Sequence, residues 1–366
     1  MKRIVFIIAF IFLLALPVCA DTYSEGIEDS GIASLHDSLS DSAKEFFEGN
    51  DISVYDSGWV EKITAGNVFS WMLDSLKDGG RTPLLTAAAV LGLIILIAVG
   101  RIFSNKADAD LSLTFIGSAV CTGAVLMPLF SVITAAARTL KGGADFMLAF
   151  IPIYGGVLFA SGRPLTSVSS SALLLGMSEV VVFIASNFIT PLLGSYLAVC
   201  MCGNISPIIN ITGIVEFIKK AASWLLGFIL TVYTGVLGIQ TAVQAAADNL
   251  ALKTGRFMLG SFIPVVGGPV SEALNTVLAG ASLLRSSVGA YGLVGMALLT
   301  LPCLLELFVW RIVLLLCSSA ATLFDCGKIS AVLKAADSAV SLIIGVILLC
   351  SVAFILSLSA VMTAGG

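Results

Sequence analysis

The chain has 366 residues, of which 58% are apolar and only 11% charged, and its mean hydropathy is +1.05. Soluble domains typically carry about 25% charged residues, so this composition excludes an ordinary soluble enzyme, and the abundance of apolar side chains excludes a disordered chain. Residues 21–82 contain 13 acidic and four basic residues, a net charge of −9, whereas residues 83–366 carry a net charge of +3. The sequence therefore divides near Pro83 into an acidic segment and an apolar one.

The N-terminus has the organisation of a secretory signal peptide. A short basic start is followed by an unbroken apolar run over residues 4–16, and the small-residue site Val18-Cys19-Ala20 follows Pro17. This pattern predicts a signal peptide over residues 1–20, with a retained signal anchor as the alternative. In either case residues 21–82 are predicted to lie outside the cytoplasm.

The acidic segment over residues 21–82 contains two stretches in which apolar residues recur at helical spacing. The second stretch includes Trp59 and Trp71, and tryptophan is typical of a membrane interface. The segment contains no cysteine, which excludes a disulfide-stapled module. Two interpretations stay open: a docking surface for an extracytoplasmic partner, and a small helical cap on the membrane domain.

Residues 83–366 predict an all-α polytopic membrane domain with seven to nine transmembrane helices. The first is predicted over residues 84–100, and the basic residues Arg101 and Lys106 that follow it fit a crossing from outside to inside. The later apolar runs cover residues 111–137, 146–161, 169–189, 191–202, 221–247, 257–284, 288–305, 307–324 and 340–362. The count depends on whether the runs interrupted by Pro and Gly cross the membrane fully.

One motif occurs twice in the apolar domain. Phe150-Ile151-Pro152-Ile153-Tyr154-Gly155-Gly156 recurs as Phe262-Ile263-Pro264-Val265-Val266-Gly267-Gly268, and flanking residues match at nearly the same offset. This predicts an internal duplication with repeats over about 111–210 and 223–327. Pro removes a backbone donor and a Gly pair lets the backbone leave helical angles, so each copy predicts a broken helix. Two such breaks are typical of a transport pathway, and the alternative is a pair of kinks that permit close packing.

Ionisable side chains inside apolar runs are costly and need partners. They are Glu179, Glu272, Arg285, Glu306 and Arg311. One interpretation is Glu–Arg pairing across helices or snorkelling to an interface. The other is a proton or ion pathway.

The sequence contains no motif for catalysis, a cofactor, a metal or nucleic acid. The P-loop, H-E-x-x-H and G-x-S-x-G patterns are absent. Cys200-Met-Cys202 resembles a metal pair, but His36 is the only histidine and is predicted to lie in another compartment, which leaves no four-ligand zinc site. The sequence therefore predicts a protein that is not an enzyme and needs no cofactor.

The order of these features resembles the stage III sporulation protein AE family. The most specific stretch is F-I-P-V-V-G-G-P-V-S-E-A-L-N-T-V over residues 262–277, followed by Leu283-Leu284-Arg285-Ser286-Ser287-Val288-Gly289. The resemblance covers nearly the whole chain.

This resemblance implies an endospore-forming bacterium and a mother-cell membrane protein located around the engulfed forespore. It implies a subunit of a trans-envelope channel or secretion-like complex that supports late forespore development. The implied partners are other membrane and ring-forming proteins of the same operon and a forespore-side protein. The residues alone leave a second class open, a self-sufficient secondary transporter of a small solute or ion with its site at the two broken helices.

Overall fold

The computed structural model describes residues 32–52, 59–103, 107–160, 164–184, 212–262 and 267–363, together with isolated positions between 186 and 198. All regular secondary structure in these residues is helical. The predicted signal peptide over residues 1–20 and Pro264 of the second motif copy lie outside the described residues. The predicted duplication is not tested by the residues that remain.

In the described part of the chain, three short helices precede six long ones. The short helices are α1 (Ile32–Asp37), α2 (Asp41–Gly49) and α3 (Trp59–Lys62). The long helices are α4 (Ala65–Phe103), α5 (Ala107–Ala160), α6 (Pro164–Ile184), α7 (Thr212–Phe262), α8 (Gly267–Leu323) and α9 (Gly327–Thr363).

Helix α2 shows how the acidic segment folds despite its polar composition. Ser40 caps its N-terminus, because the Ser40 side chain accepts a hydrogen bond from the Ala43 N–H. Ala43, Phe46 and Phe47 are buried, since residues three and four apart share one face of a helix. The acidic residues between them lie on the exposed face, so the helix is amphipathic.

Five of the described helices are long and apolar enough to cross a membrane. The apolar stretches are Gly79–Phe103, Ser112–Phe159, Glu216–Gln240, Arg285–Leu323 and Gly327–Ser359. The prediction of an all-helical membrane protein is confirmed for the described residues, whereas the count of seven to nine spans is not. The runs predicted over 111–137 and 146–161 both lie in α5, and those over 288–305 and 307–324 both lie in α8.

Helix α5 continues through the polar residues between the predicted apolar runs 111–137 and 146–161 because of where their charges lie. Arg138, Lys141 and Asp145 are spaced by three and four residues and are all exposed, so they form one outward stripe. Leu140, Ala144 and Met147 of the same turns are buried. The helix therefore carries the charges without breaking.

The core of the bundle lies around α8 and α9, which pack against each other and against α5. Phe354 of α9 and Trp310 of α8 are fully buried in it. Glycine permits close approach at one level of this core, since a Cβ on Gly143 of α5 would lie 3.3 Å from the Phe354 ring. Helix α4 packs on the outside of this core, against α5 and α8.

Candidate functional site

The three short helices α1–α3, which we call the cap, are docked on α8 through an aromatic cluster. The ring of Phe47 stacks on Tyr291 with centroids 4.6 Å apart, and Trp59 meets Tyr291 edge-on at 5.9 Å. All three side chains are fully buried. Aromatic pairs in these geometries stabilise an interface beyond the area they bury, so the cap is an integral part of the fold.

Polar contacts define the position of the cap on the bundle. Nδ1 of His36 lies 3.1 Å from the Tyr291 hydroxyl oxygen, and Nε1–H of Trp59 donates to the Ser287 hydroxyl at 3.2 Å. Nε1–H of Trp71, on the polar first part of α4, donates to the Ser42 carbonyl at 3.1 Å. The cap is therefore held from α8 on one side and from α4 on the other.

A cavity of about 620 Å³ opens between the cap, α4 and the bundle. Three carboxylates line it: Glu45 from the cap, Asp74 from α4 and Glu306 from α8. None of its lining residues is basic, and the one described ion pair made by these carboxylates joins Asp74 to Lys77 at 2.7 Å. The charged side chains that line the cavity are therefore all acidic, and Lys77 offsets the charge of one of them.

The polar lining of this cavity includes amides that join the cap to α4. Nδ2–H of Asn67 donates to Oδ1 of Asn50 at 2.6 Å. Amide and carboxylate oxygens favour cationic side chains and repel anions, and Lys77 already pairs with one of the three carboxylates, Asp74. No group of three or more metal-ligating side chains occurs in the described residues.

Glu306 is the one predicted intramembrane carboxylate that lies in this cavity. It is half-buried, and a Cβ placed on Gly79 of α4 would lie 3.4 Å from the Glu306 Cβ. Helix α4 approaches α8 closely at Gly79, and both Gly79 and Glu306 line the cavity. This position gives Glu306 access to water, and reduces the cost of its charge.

Arg311 pairs across helices, but its partner is an aspartate and not one of the predicted glutamates. Nε of Arg311 lies 3.3 Å from Oδ1 of Asp337 on α9. The side chains are 35% and 23% exposed, so the pair is half-buried. Asp337 lies just before the apolar run over 340–362, so a search for ionisable residues inside apolar runs does not find it.

Of the remaining predicted ionisable residues, Glu179 and Arg285 lie on different helices. Glu179 is exposed on α6, and Arg285 is half-buried on α8 near Tyr154 of α5. The side chain of Glu272 is outside the described part of the structure, as are the surroundings of Gly267 and Gly268. The ion pathway therefore remains a prediction.

The first copy of the repeated motif does not break its helix. Helix α5 continues through Pro152, Gly155 and Gly156 to Ala160. The Gly155 carbonyl accepts a hydrogen bond from the Ser167 hydroxyl at 2.6 Å, which satisfies this backbone group without a break in the helix. A Cβ on Gly155 would lie 2.6 Å from Oγ of Ser171, whereas one on Gly156 would meet nothing within 4 Å. Gly155 therefore serves close packing of α6 on α5, which is the alternative interpretation of the motif.

The long apolar helices and the docked acidic cap place the chain in the class of helical membrane proteins that carry a polar appendage. The chain belongs to the family described as Stage III sporulation protein AE, whose sequence model matches residues 67–365. Stage III sporulation protein AE of Bacillus subtilis (strain 168) is 22% identical over 331 residues, which covers 90% of this chain and 81% of that protein. No solved structure matches the chain. The predicted resemblance is confirmed, and with it a role in sporulation.

Proposed function

We propose that the chain is a membrane subunit of a trans-envelope channel or secretion-like complex that links mother cell and forespore. Its helices lie in the mother-cell membrane around the engulfed forespore, and the cap faces the space between the two membranes. Family membership supports association with other stage III sporulation proteins. The family name also favours a structural role in a complex over catalysis.

The docked cap with its acidic cavity is the observation that carries this proposal. A cap that only covered apolar surface of the bundle would need no charged cavity. This cap instead forms a cavity lined by three carboxylates and no basic residue. Such a surface fits basic side chains of a partner protein, because complementary charges steer association and select partners. The partners are other membrane and ring-forming proteins of the same operon and a forespore-side protein.

The charge distribution along the bundle supports an extracytoplasmic cap. Nη1 of Arg101 donates to the Asp325 carbonyl at 2.8 Å, at the turn between α8 and α9, and Lys328 follows that turn. The cap contacts α8 at Ser287 and Tyr291, roughly 50 Å away along the helix at 1.5 Å per residue. Basic residues gather on the cytoplasmic side of membrane proteins, so the cap lies on the opposite side.

The proposal is tested by neutralising the cavity in the full chain. The double variant Glu45→Gln/Asp74→Asn removes two of the three carboxylates, while Asp41→Asn, on the exposed first turn of α2, removes a cap charge outside the cavity. After crosslinking in sporulating cells, we expect the double variant to recover at least tenfold less of the other stage III proteins than wild type. Asp41→Asn should recover wild-type amounts. Equal recovery by all three chains, at equal membrane abundance, would contradict the proposal.

A further inference from the structure

A groove of about 420 Å³ opens between α8 and α9, close to the turn that joins the two helices. Three hydroxyl side chains of α8 line one side of it, Ser318, Ser319 and Thr322. On the other side α9 contributes one basic and one acidic side chain, Lys334 and Asp337. The groove, which we call the α8–α9 groove, is therefore a polar site between two helices whose stretches beside it are long and apolar.

The α8–α9 groove lies where the bilayer meets water. The side chain of Asp325, in the turn between the two helices, is 95% exposed, and a charge so exposed does not face hydrocarbon. The apolar stretches Arg285–Leu323 and Gly327–Ser359 lead away from this turn. Lys334 lies nine residues beyond Asp325, roughly 13 Å at 1.5 Å per residue, whereas half the hydrocarbon core is about 15 Å thick. A lysine at this depth extends its ammonium group to the headgroup layer.

Lys334 is a cation without a counter-charge in the described part of the chain, where it makes no hydrogen bond and no ion pair. The one carboxylate of the groove is already offset, because Nε of Arg311 lies 3.3 Å from Oδ1 of Asp337. A further cation lies on the same face of α9, since Nζ of Lys219 donates to the Ser338 hydroxyl at 3.3 Å and residues four apart share a face. A charge at the edge of the hydrocarbon is costly without a partner, so this site favours an anion.

The hydroxyls of the α8–α9 groove are held in place and are still able to bind a ligand. Oγ1 of Thr322 lies 2.9 Å from Oγ of Ser330 on α9, and Oγ of Ser318 lies 3.3 Å from the same atom. The Thr322 and Ser319 hydroxyls donate to backbone carbonyls of α8, those of Ser318 and Leu315, at 2.9 Å each. Each of these carbonyls also accepts the helical N–H four residues on. A hydroxyl that turns from its carbonyl to a ligand therefore leaves no backbone group unpaired.

From these contacts we infer that the α8–α9 groove binds the headgroup phosphate of an anionic phospholipid. The Lys334 ammonium group has three donors for phosphate oxygens, and the hydroxyls of Ser319 and Thr322 serve the ester oxygens and the alcohol of the headgroup. Two apolar side chains that line the groove, Leu315 and Leu323, are 54% and 85% exposed and provide a surface for the acyl chains. Basic pockets between transmembrane helices bind anionic lipid headgroups in this way. A soluble anion such as inorganic phosphate would leave the apolar side chains unused.

Lipid binding to the purified full chain in detergent, measured by native mass spectrometry, tests this inference. Wild type is expected to bind phosphatidylglycerol more tightly than phosphatidylcholine with the same acyl chains, which carries no net charge. Lys334→Gln is expected to weaken the binding of phosphatidylglycerol about fivefold, the effect of one basic side chain near a membrane surface, whereas Lys334→Arg should keep it. Lys328→Gln is the matched control, since Lys328 is on the same helix but does not line the groove. Equal losses in Lys334→Gln and Lys328→Gln, or equal binding of the two lipids by wild type, would overturn the inference.

A second variant tests the shape of the groove while its charges stay unchanged. Ser319→Phe fills the groove and is expected to weaken phosphatidylglycerol binding by about fivefold or more, because the ring and the lipid cannot share the space. Leu316→Phe, at an exposed position that does not line the groove, should bind like wild type. Glycerol 3-phosphate, which has the phosphate but no acyl chains, should not displace the lipid at equal concentration. Displacement by it, or unchanged binding in Ser319→Phe, would overturn the inference. Neither experiment depends on the partners proposed for the cap.

Discussion

Replacing Gly292 with alanine is expected to destabilise the bundle where α8 crosses α5. A Cβ on Gly292 would lie 2.6 Å from Cζ and 2.9 Å from Cδ2 of Phe150. Phe150 is fully buried and stacks with Phe146 and Tyr154 at centroid distances of 6.0 and 5.2 Å. The ring has no free space to enter, so the helices must separate or the stack must shift.

The magnitude follows from two opposing effects. Overpacking a core of this kind costs about 1–3 kcal/mol, and the higher helix propensity of alanine returns up to about 1 kcal/mol. The expected net loss for Gly292→Ala is therefore about 1–2 kcal/mol. Gly123→Ala on α5 is the control, because its Cβ would meet nothing within 4 Å and only the gain in propensity, about 0–1 kcal/mol, remains.

The assay is thermal unfolding of both variants in one detergent at a fixed scan rate, since membrane proteins often unfold irreversibly. A loss of about 1–2 kcal/mol is expected to lower the Tm of Gly292→Ala by roughly 2–8 °C, given a shift of about 2–4 °C per kcal/mol for larger domains. Gly123→Ala should have the wild-type Tm or a slightly higher one. A Gly292→Ala chain as stable as Gly123→Ala would refute the packing argument.

Three further variants test single contacts. Tyr291→Phe removes the hydroxyl beside His36 but keeps the ring stack. The docking of the cap should lose about 0.5–1.5 kcal/mol, which makes the cap more sensitive to limited proteolysis. Unchanged cleavage would count against that contact. Arg311→Met leaves the half-buried Asp337 without its partner. It should lower the Tm more than the double variant Arg311→Met/Asp337→Leu does, because an unpaired buried charge is costly. Additive losses of stability in the single and double variants would show that the two residues do not interact. Ser167→Ala removes the hydrogen bond to the α5 backbone. Its free energy of unfolding, measured with denaturant, should fall by about 0.5–1.5 kcal/mol, and a fall below about 0.3 kcal/mol would contradict the role of this hydrogen bond.

The class of fold could be predicted from the sequence because it depends on total apolar content. With 58% apolar residues, long helices are the structure that satisfies the backbone in a bilayer. The amphipathic stretches of the acidic segment also predicted its helices, and of the two interpretations left open, the small helical cap is the one that the structure shows. The docking role remains a proposal.

Helix boundaries could not be predicted where polar residues separate two apolar runs. Arg138 and Lys141 lie on an outward stripe of α5, and this requires knowledge of which face is buried. Pro152 likewise predicted a break, but the structure around Gly155 supplies a hydrogen bond from α6 that no local pattern reveals.

The candidate site depends on contacts between residues far apart in the chain. His36 and Tyr291 are 255 positions apart, and Trp59 and Ser287 are 228 apart. Sequence periodicity identifies a face that is buried, but it does not identify the surface against which that face packs. Glu306 could therefore be recognised as unusual from the sequence, while its place in an acidic cavity under the cap could not.

The location of the full chain with a fluorescent C-terminal tag in a sporulating culture of the source organism tests the central claim most directly. The account predicts signal concentrated in the membrane around the engulfed forespore and absent from vegetative cells. Uniform signal in the membranes of growing cells would contradict the proposed role in a complex between mother cell and forespore.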